Sequence, residues 1–191
     1  MSNRVRFLSA ASIILLFIAY AAEPDAFERG MAAFRKRDFP AAESELTKVV
    51  REHPSSARAW KLLGMVYSSQ DKYELAEGPL RRACQIDAQE ENACYYLGRL
   101  YFTVSRLAES LDSYSKAPLN GRVLLGRALT LEAMSRPGEA ELDYKRAIAG
   151  GETRASIDYG LFLFKQGRGA ESLAVLRKAG AQAEADRVAK A

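Results

Sequence analysis

The chain has 191 residues, of which 48% are hydrophobic and 27% are charged, with a formal net charge of +4. These values exclude a wholly disordered or collagen-like chain, and the length allows one domain, or two small ones, with a core that folds unaided. Two cysteines and one histidine are too few for a disulfide-dense scaffold or a cysteine-built zinc site, and they leave little room for histidine-based catalysis.

The N-terminus differs in composition from the rest of the chain. Arg4 and Arg6 precede an uncharged apolar run over residues 7–22, which ends in small residues around Ala21. This pattern is typical of a signal peptide cleaved after Ala21, so we expect residues 1–21 to direct export to the periplasm or out of the cell. The alternative is a retained anchor in the inner membrane, which would tether the protein through residues 7–22.

Cleavage would also change the charge of the mature protein. Residues 1–21 contain two arginines and no acidic residue, so part of the positive charge belongs to the targeting segment. The small remainder gives little support to a nucleic-acid partner, and we expect none.

A fixed spacing recurs along the rest of the chain. Glycines stand 34, 34, 28 and 34 residues apart, at Gly30, Gly64, Gly98, Gly126 and Gly160. A small residue follows each glycine after 19, 19, 19, 21 and 19 residues, at Val49, Ala83, Ala117, Ala147 and Ala179. Within each unit, two stretches with apolar residues at helical spacing flank a short turn. Because one helical hairpin cannot bury its apolar face alone, the spacing predicts hairpins stacked into a single domain over residues 22–191.

Two units depart from the common spacing. In the unit of Gly126 we interpret the two extra residues as an insertion near Pro137. The second helix of the third unit is expected to end early, because Pro118 follows it closely. The Ala- and charge-rich tail after Gly180 predicts a short capping helix.

This pattern resembles the tetratricopeptide repeat family. The clearest unit is residues 57–90, where eight residues stand at the family's signature positions: Trp60, Leu63, Gly64, Tyr67, Tyr73, Ala76, Leu80 and Ala83. The resemblance covers about residues 23–180. It implies an all-α fold, an α-solenoid of about five antiparallel helix hairpins with a C-terminal capping helix. It also implies a concave groove, lined mainly by the first helix of each hairpin, that binds an extended peptide or a partner helix.

Carried over by position, three residues of each first helix are expected to face that groove: Phe27, Met31 and Phe34; Lys61, Met65 and Ser68; Tyr95, Arg99 and Phe102; Val123, Arg127 and Thr130; Ile157, Leu161 and Phe164. From these we select as the partner-binding groove Lys61, Met65, Tyr95, Arg99, Phe102, Arg127 and Phe164. Such a mixture suits a segment with apolar anchors and some acidic residues. The alternative is that several of these residues only pack against neighbouring helices, but burial of an unpaired arginine is costly.

One branch of the family grips a C-terminal carboxylate with a lysine and asparagines. Lys61 occupies one such position, but Met65 and Tyr96 stand where that branch has asparagine. The resemblance therefore does not predict a clamp of that kind.

The cysteines and the histidine have ordinary interpretations. Cys84 and Cys94 fall in neighbouring segments, so a disulfide is allowed, but we favour two buried thiols acting as small apolar residues. His53 stands near a helix end, where it caps carbonyls or faces water.

No residue pattern supports catalysis. Serines and carboxylates are abundant, but none pairs with a second histidine or a cysteine base. The sequence therefore predicts a non-enzymatic scaffold or adaptor, without metal or cofactor, that binds a protein or peptide partner of unknown identity. The alternative is a self-associating structural component of a cell-envelope assembly, and the oligomeric state stays open.

Overall fold

The computed structural model describes residues 25–88 and 92–190, so the expected signal peptide or anchor lies outside the described residues. Eleven α-helices and no strands occur within them: α1 Ala26–Arg35, α2 Phe39–Glu52, α3 Ala57–Ser68, α4 Tyr73–Ile86, α5 Ala93–Thr103, α6 Leu107–Lys116, α7 Gly121–Ala133, α8 Pro137–Ala149, α9 Thr153–Lys165, α10 Gly169–Lys178 and α11 Gln182–Lys190. The first ten helices pair into five consecutive hairpins, and α11 packs on the last one. The predicted all-α solenoid with a C-terminal capping helix is confirmed.

The hairpins stack in two layers. The odd-numbered helices, α1 to α11, form an inner layer in which each helix contacts the next odd-numbered helix. The even-numbered helices, α2 to α10, form an outer layer and, within the described residues, contact only helices of the inner layer. Because the inner layer is the more closely packed, the stack curves around it and the inner layer lines the concave face.

None of the described helices has the length and apolar character needed to cross a lipid bilayer.

Each hairpin turns at one residue in the left-handed conformation. This residue follows the first helix and directly precedes the N-cap of the second, and its φ lies between 57° and 75°. The five turn residues are Arg37, Asp71, Ser105, Ser135 and Gly167. Because the turn is the same in every hairpin, it provides a second reference for aligning the units.

The two helices of a hairpin approach most closely at a small residue, seven positions before the turn residue. A Cβ on Gly64 would lie 2.5 Å from the Cγ atom of Leu80, and a Cβ on Gly160 would lie 2.6 Å from that of Leu176. In both cases the large residue stands 16 positions after the glycine. We call the small residue the contact position; it is occupied by Gly30, Gly64, Gly98, Ala128 and Gly160.

In the fourth hairpin the contact position is Ala128, so the prediction that Gly126 occupies it was wrong. Ala128 is fully buried, and it precedes the turn residue Ser135 by seven positions and Ala147 by 19, as in the other hairpins. The expected insertion near Pro137 is also wrong, because Pro137 begins α8 directly after a turn of the usual length. The early end of the third unit is confirmed, since α6 stops at Lys116.

A disulfide links the second and third hairpins, which corrects the interpretation of two buried thiols. Cys84 in the last turns of α4 and Cys94 in the first turn of α5 are bonded, with 4.7 Å between their Cα atoms. Both residues are buried. The bond holds the start of α5 against the end of α4.

This disulfide should be intact in the protein as isolated from its cells. Denaturation without reductant should expose no titratable thiol, and reduction should lower the free energy of unfolding by about 2–3 kcal/mol for a loop of this length. The double variant Cys84→Ser with Cys94→Ser is the control, because its urea-unfolding curve should not respond to reductant. Two free thiols in the unreduced protein would contradict the assignment.

Candidate functional site

The concave face has a central cavity of about 410 Å³ between α5 and α7. Tyr95, Arg99 and Phe102 of α5 line one side, at the three positions that the sequence predicted for that helix. Leu125 and Leu129 of α7 line the other side. The structure thus brings aromatic, aliphatic and basic side chains together at the junction of the third and fourth hairpins.

A second cavity of about 230 Å³ adjoins the central one on the side of α3. Met65 and Ser68 of α3, both predicted groove residues, line it together with Tyr96. Arg99 and Thr103 line both cavities. The two cavities therefore form one groove that crosses α3, α5 and α7.

Two further predicted residues lie apart from these cavities. Lys61 on α3 is half-buried and Phe164 on α9 is 38% exposed. Neither side chain lines the central cavity or the one beside it.

Arg127 lies inside the fourth hairpin instead of lining the groove. Its Nε atom is 3.1 Å from a carboxylate oxygen of Asp143 on α8, and the Asp143 side chain is buried. Burial raises the pKa of Asp143, while the charge of Arg127 opposes that rise. The first hairpin has an ion pair at the same two positions, between Arg29 and Glu45.

The wrong predictions of groove positions on α7 have one common cause. Val123 and Thr130, which were also expected in the groove, are fully buried. All α7 positions were counted from Gly126, two residues before the true contact position. Counted from Ala128, the groove positions become Leu125, Leu129 and Glu132, and the two leucines do line the central cavity. The 19-residue distance from Ala128 to Ala147 was the signal that could have found them.

Two glutamates of the outer layer form contacts between neighbouring hairpins. Glu77 on α4 accepts hydrogen bonds from the Tyr101 hydroxyl at 3.0 Å and from Arg106 at 2.8 Å. Glu141 on α8 accepts equivalent bonds from the Tyr159 hydroxyl at 2.8 Å and from Arg168 at 2.7 Å. We call each such set of contacts a clasp.

The clasps have an electrostatic consequence. The Arg168 guanidinium, together with Lys145, lowers the pKa of Glu141 to about 2.

Within the described residues, the junction between the third and fourth hairpins has no such clasp. Leu111 stands at the position that Glu77 and Glu141 occupy in their own hairpins, so the junction is apolar there.

The groove is basic on the side of α3 and α5. Helices α3 and α5 contain Arg58, Lys61 and Arg99 and no acidic residue. The guanidinium carbons of Arg99 and Arg122 each lie 5.8 Å from the centre of the Tyr95 ring. Neither arginine forms an ion pair with a carboxylate in the part of the chain that the structure describes.

The far edge of the central cavity, towards α9, carries charges of both signs. Arg154 and Glu152 line this edge, and Arg154 also pairs with Asp158 at 3.2 Å. The cavity lining thus holds more guanidinium groups than carboxylates.

Among the described residues, the side chains that usually bind metal ions, His, Cys, Asp and Glu, do not gather at the groove. Over residues 25–88 and 92–190, no group of three or more His, Cys, Asp or Glu side chains is placed to share a metal ion. His53 is exposed at the C-cap of α2, and the two cysteines bond each other.

Comparison with known proteins identifies the repeat. A family model of the tetratricopeptide repeat matches residues 27–91 and 125–186. The interval between the two matches contains α5, α6 and the start of α7. A search of curated proteins gave no match.

Solved structures with the same architecture include three described proteins. MamA is 21% identical, with a TM-score of 0.70 over 85% of this chain and 97% of that chain. PilW, described as a type IV pilus biogenesis factor, is 19% identical, with a TM-score of 0.74 over 83% and 76%. YrrB, described as having an unusual peptide-binding site, is 23% identical, with a TM-score of 0.61 over 72% and 74%. At these identities the likeness shows the fold.

The clasp of Glu141 should make stability depend on pH. Because its pKa in the folded protein lies below the ordinary value of 4.5, the clasp contributes stability above pH 4.5 that is lost as the pH falls towards 2. Glu141→Gln should therefore be less stable than wild type at pH 7, and urea unfolding should show this difference narrowing between pH 4.5 and 2. Glu52→Gln, which alters an exposed carboxylate, is the control. A Glu141→Gln difference that stays constant with pH would contradict the role of the clasp.

Proposed function

The chain belongs to the tetratricopeptide repeat family, and we propose that it is a non-enzymatic scaffold or adaptor that captures a peptide segment of a partner protein in its concave groove. Proteins of this family are generally protein–protein interaction modules. The observation that carries the proposal is the groove across α3, α5 and α7, because it combines exposed basic groups with half-buried aromatic and aliphatic side chains.

The size of the groove suits an extended segment. Packed helices lie about 8–10 Å apart, so the path from α3 to α7 covers roughly 16–20 Å. An extended chain covers that distance with about five or six residues. A segment of this length can place one apolar side chain between Phe102 and Leu129 and set acidic side chains near Arg99.

The charge of the groove selects among segments. Arg99 and Arg122 keep no carboxylate partner within the described residues, so an acidic segment gains attraction without breaking an existing ion pair. A basic segment would meet repulsion at the same place. The proposed partner therefore presents Asp or Glu residues beside an apolar anchor.

We further propose that this scaffold works outside the cytoplasm. The N-terminal pattern of residues 1–21 supports export or anchoring, and the Cys84–Cys94 disulfide supports it independently, because such bonds persist in oxidising compartments. The intact mass of the protein from the cell-envelope fraction tests this: a chain that begins at residue 22 indicates cleavage, and one that keeps residues 1–21 indicates an anchor. Full-length protein found only in the cytoplasm would contradict both.

Selection from a random 12-residue peptide library tests the groove. The protein lacking residues 1–21 should enrich peptides that combine acidic and apolar residues. The double variant Arg99→Glu with Arg122→Glu should bind a synthetic copy of the best peptide at least about tenfold more weakly, because two attractive charges become repulsive. Fluorescence anisotropy at low and high salt measures both affinities.

The matched control reverses two charges of the outer layer. Arg82→Glu with Arg177→Glu changes two exposed arginines of α4 and α10 and should leave the peptide affinity unchanged. Failure of the wild type to enrich any peptide, or equal effects of the two double variants, would overturn the proposal. A stable oligomer in light scattering that the groove variant leaves intact would instead favour self-association.

A further inference from the structure

One tyrosine of the outer layer reaches the concave face. Tyr114 on α6 is 2% exposed, yet it lines the floor of the central cavity. A Cβ on Gly98 would lie 2.9 Å from its ring, and a Cβ on Gly126 would lie 2.5 Å from its Cζ atom. The ring therefore passes between α5 and α7, and it fits there because both helices have glycine at the point of contact.

The Tyr114 hydroxyl differs from those of the other buried tyrosines. The Tyr144 hydroxyl donates to Glu132 at 2.6 Å, and the Tyr101 hydroxyl donates to Glu77 at 3.0 Å. The Tyr114 hydroxyl makes no hydrogen bond to any residue in the described ranges 25–88 and 92–190. The hydroxyls of the other buried tyrosines are satisfied within the protein, whereas this one is open to the central cavity, where a ligand can accept its hydrogen bond.

Gly126 keeps this hydroxyl accessible from the groove. A Cβ at Gly126 would stand 2.8 Å from the hydroxyl oxygen, so any larger residue would cover it. Gly126 does not occupy the contact position of its hairpin, which is filled by Ala128. Its lack of a side chain therefore serves the junction with Tyr114.

The surroundings of the hydroxyl favour a negatively charged oxygen. The rings of Tyr95 and Tyr114 are 5.9 Å apart, and Tyr95 lies beside the guanidinium groups of both Arg99 and Arg122. Burial raises the pKa of Tyr114, so its hydroxyl stays a proton donor at neutral pH. The lining of this cavity thus combines the neutral Tyr114 donor with the guanidinium groups of Arg99 and Arg122, while Arg154 and the carboxylate of Glu152 stand at its far edge.

We propose that Tyr114, Arg99 and Arg122 form an anchor subsite for the side-chain carboxylate of an aspartate or glutamate within the captured segment. This inference rests on the proposed function and identifies where in the groove the acidic residue binds. The groove continues past the subsite on both sides, towards Met65 and towards Arg154, so the bound chain passes through the central cavity rather than ending there.

The variant Tyr114→Phe tests the subsite, because it removes only the hydroxyl. Binding of the acidic peptide selected above should weaken roughly tenfold or more, the usual effect of losing a hydrogen bond to a charged group. Binding of the same peptide with its acidic residues changed to Asn and Gln should not change further. The melting temperature of Tyr114→Phe should not fall, because the hydroxyl has no bond within the described protein to lose.

The matched control is Tyr159→Phe, which removes a hydroxyl that donates to Glu141 of the outer layer. It should lower the melting temperature and leave peptide affinity unchanged. This pair separates a loss of ligand contact from a loss of stability.

These experiments distinguish failure of the anchor subsite from failure of the proposed function. If Arg99→Glu with Arg122→Glu weakens binding but Tyr114→Phe does not, the anchor subsite is overturned while the proposed function stands. Loss of binding when the peptide's C-terminus is amidated would assign the carboxylate to a chain end and overturn the side-chain assignment. If the wild type selects no peptide, the proposed function fails and the subsite fails with it.

Discussion

The contact between a small residue of each first helix and a large residue 16 positions later is the constraint on which the rest of the structure depends. At Gly64 and Gly160 there is no room for even a methyl group against the facing leucine. This contact holds the two helices of a hairpin at one distance, and the shared left-handed turn holds them at one register. The groove side chains stand at fixed offsets from the contact position, so the same contact decides which residues line the concave face.

Because the groove positions are counted from the contact position, the sequence predicts them only where that position is identified correctly. Four hairpins have glycine at the contact position, and in the third the residues at the predicted offsets, Tyr95, Arg99 and Phe102, line the central cavity. In the fourth hairpin, alanine at position 128 replaces the glycine. The prediction used the nearby Gly126 as the contact position instead, so every predicted groove position on α7 was wrong by two residues. The residue that faces Ala128, 16 positions later, is Tyr144 instead of the leucine that faces Gly64 and Gly160. The paired cysteines were visible in the sequence, but their bond depends on how the chain between α4 and α5 brings their Cα atoms to 4.7 Å, which spacing alone does not determine.

The third hairpin departs most from the repeat, and it carries the centre of the groove. Its two helices fall within the interval that the family model leaves unmatched. Tyr114 stands where three other hairpins have leucine, and its longer side chain extends past its own hairpin to Gly126 of the next. Leu111 replaces the glutamate that forms clasps in the second and fourth hairpins. Residues that depart from the repeat at a junction are free to serve recognition, because the common contact already secures the fold.

The distribution of charge connects stability to recognition. Glu77 and Glu141 hold neighbouring hairpins together through Arg106 and Arg168, the arginines that directly follow the turn residues. Those carboxylates are thereby neutralised by partners outside the groove and do not compensate the arginines of the inner layer. An ion pair between Arg99 and a carboxylate of the same chain would be easy to form at so accessible a site, and it would compete with any acidic partner. Because Glu77 and Glu141 are paired between hairpins, they place no carboxylate beside Arg99, so the contacts that stabilise the solenoid are compatible with the proposed capture of an acidic segment.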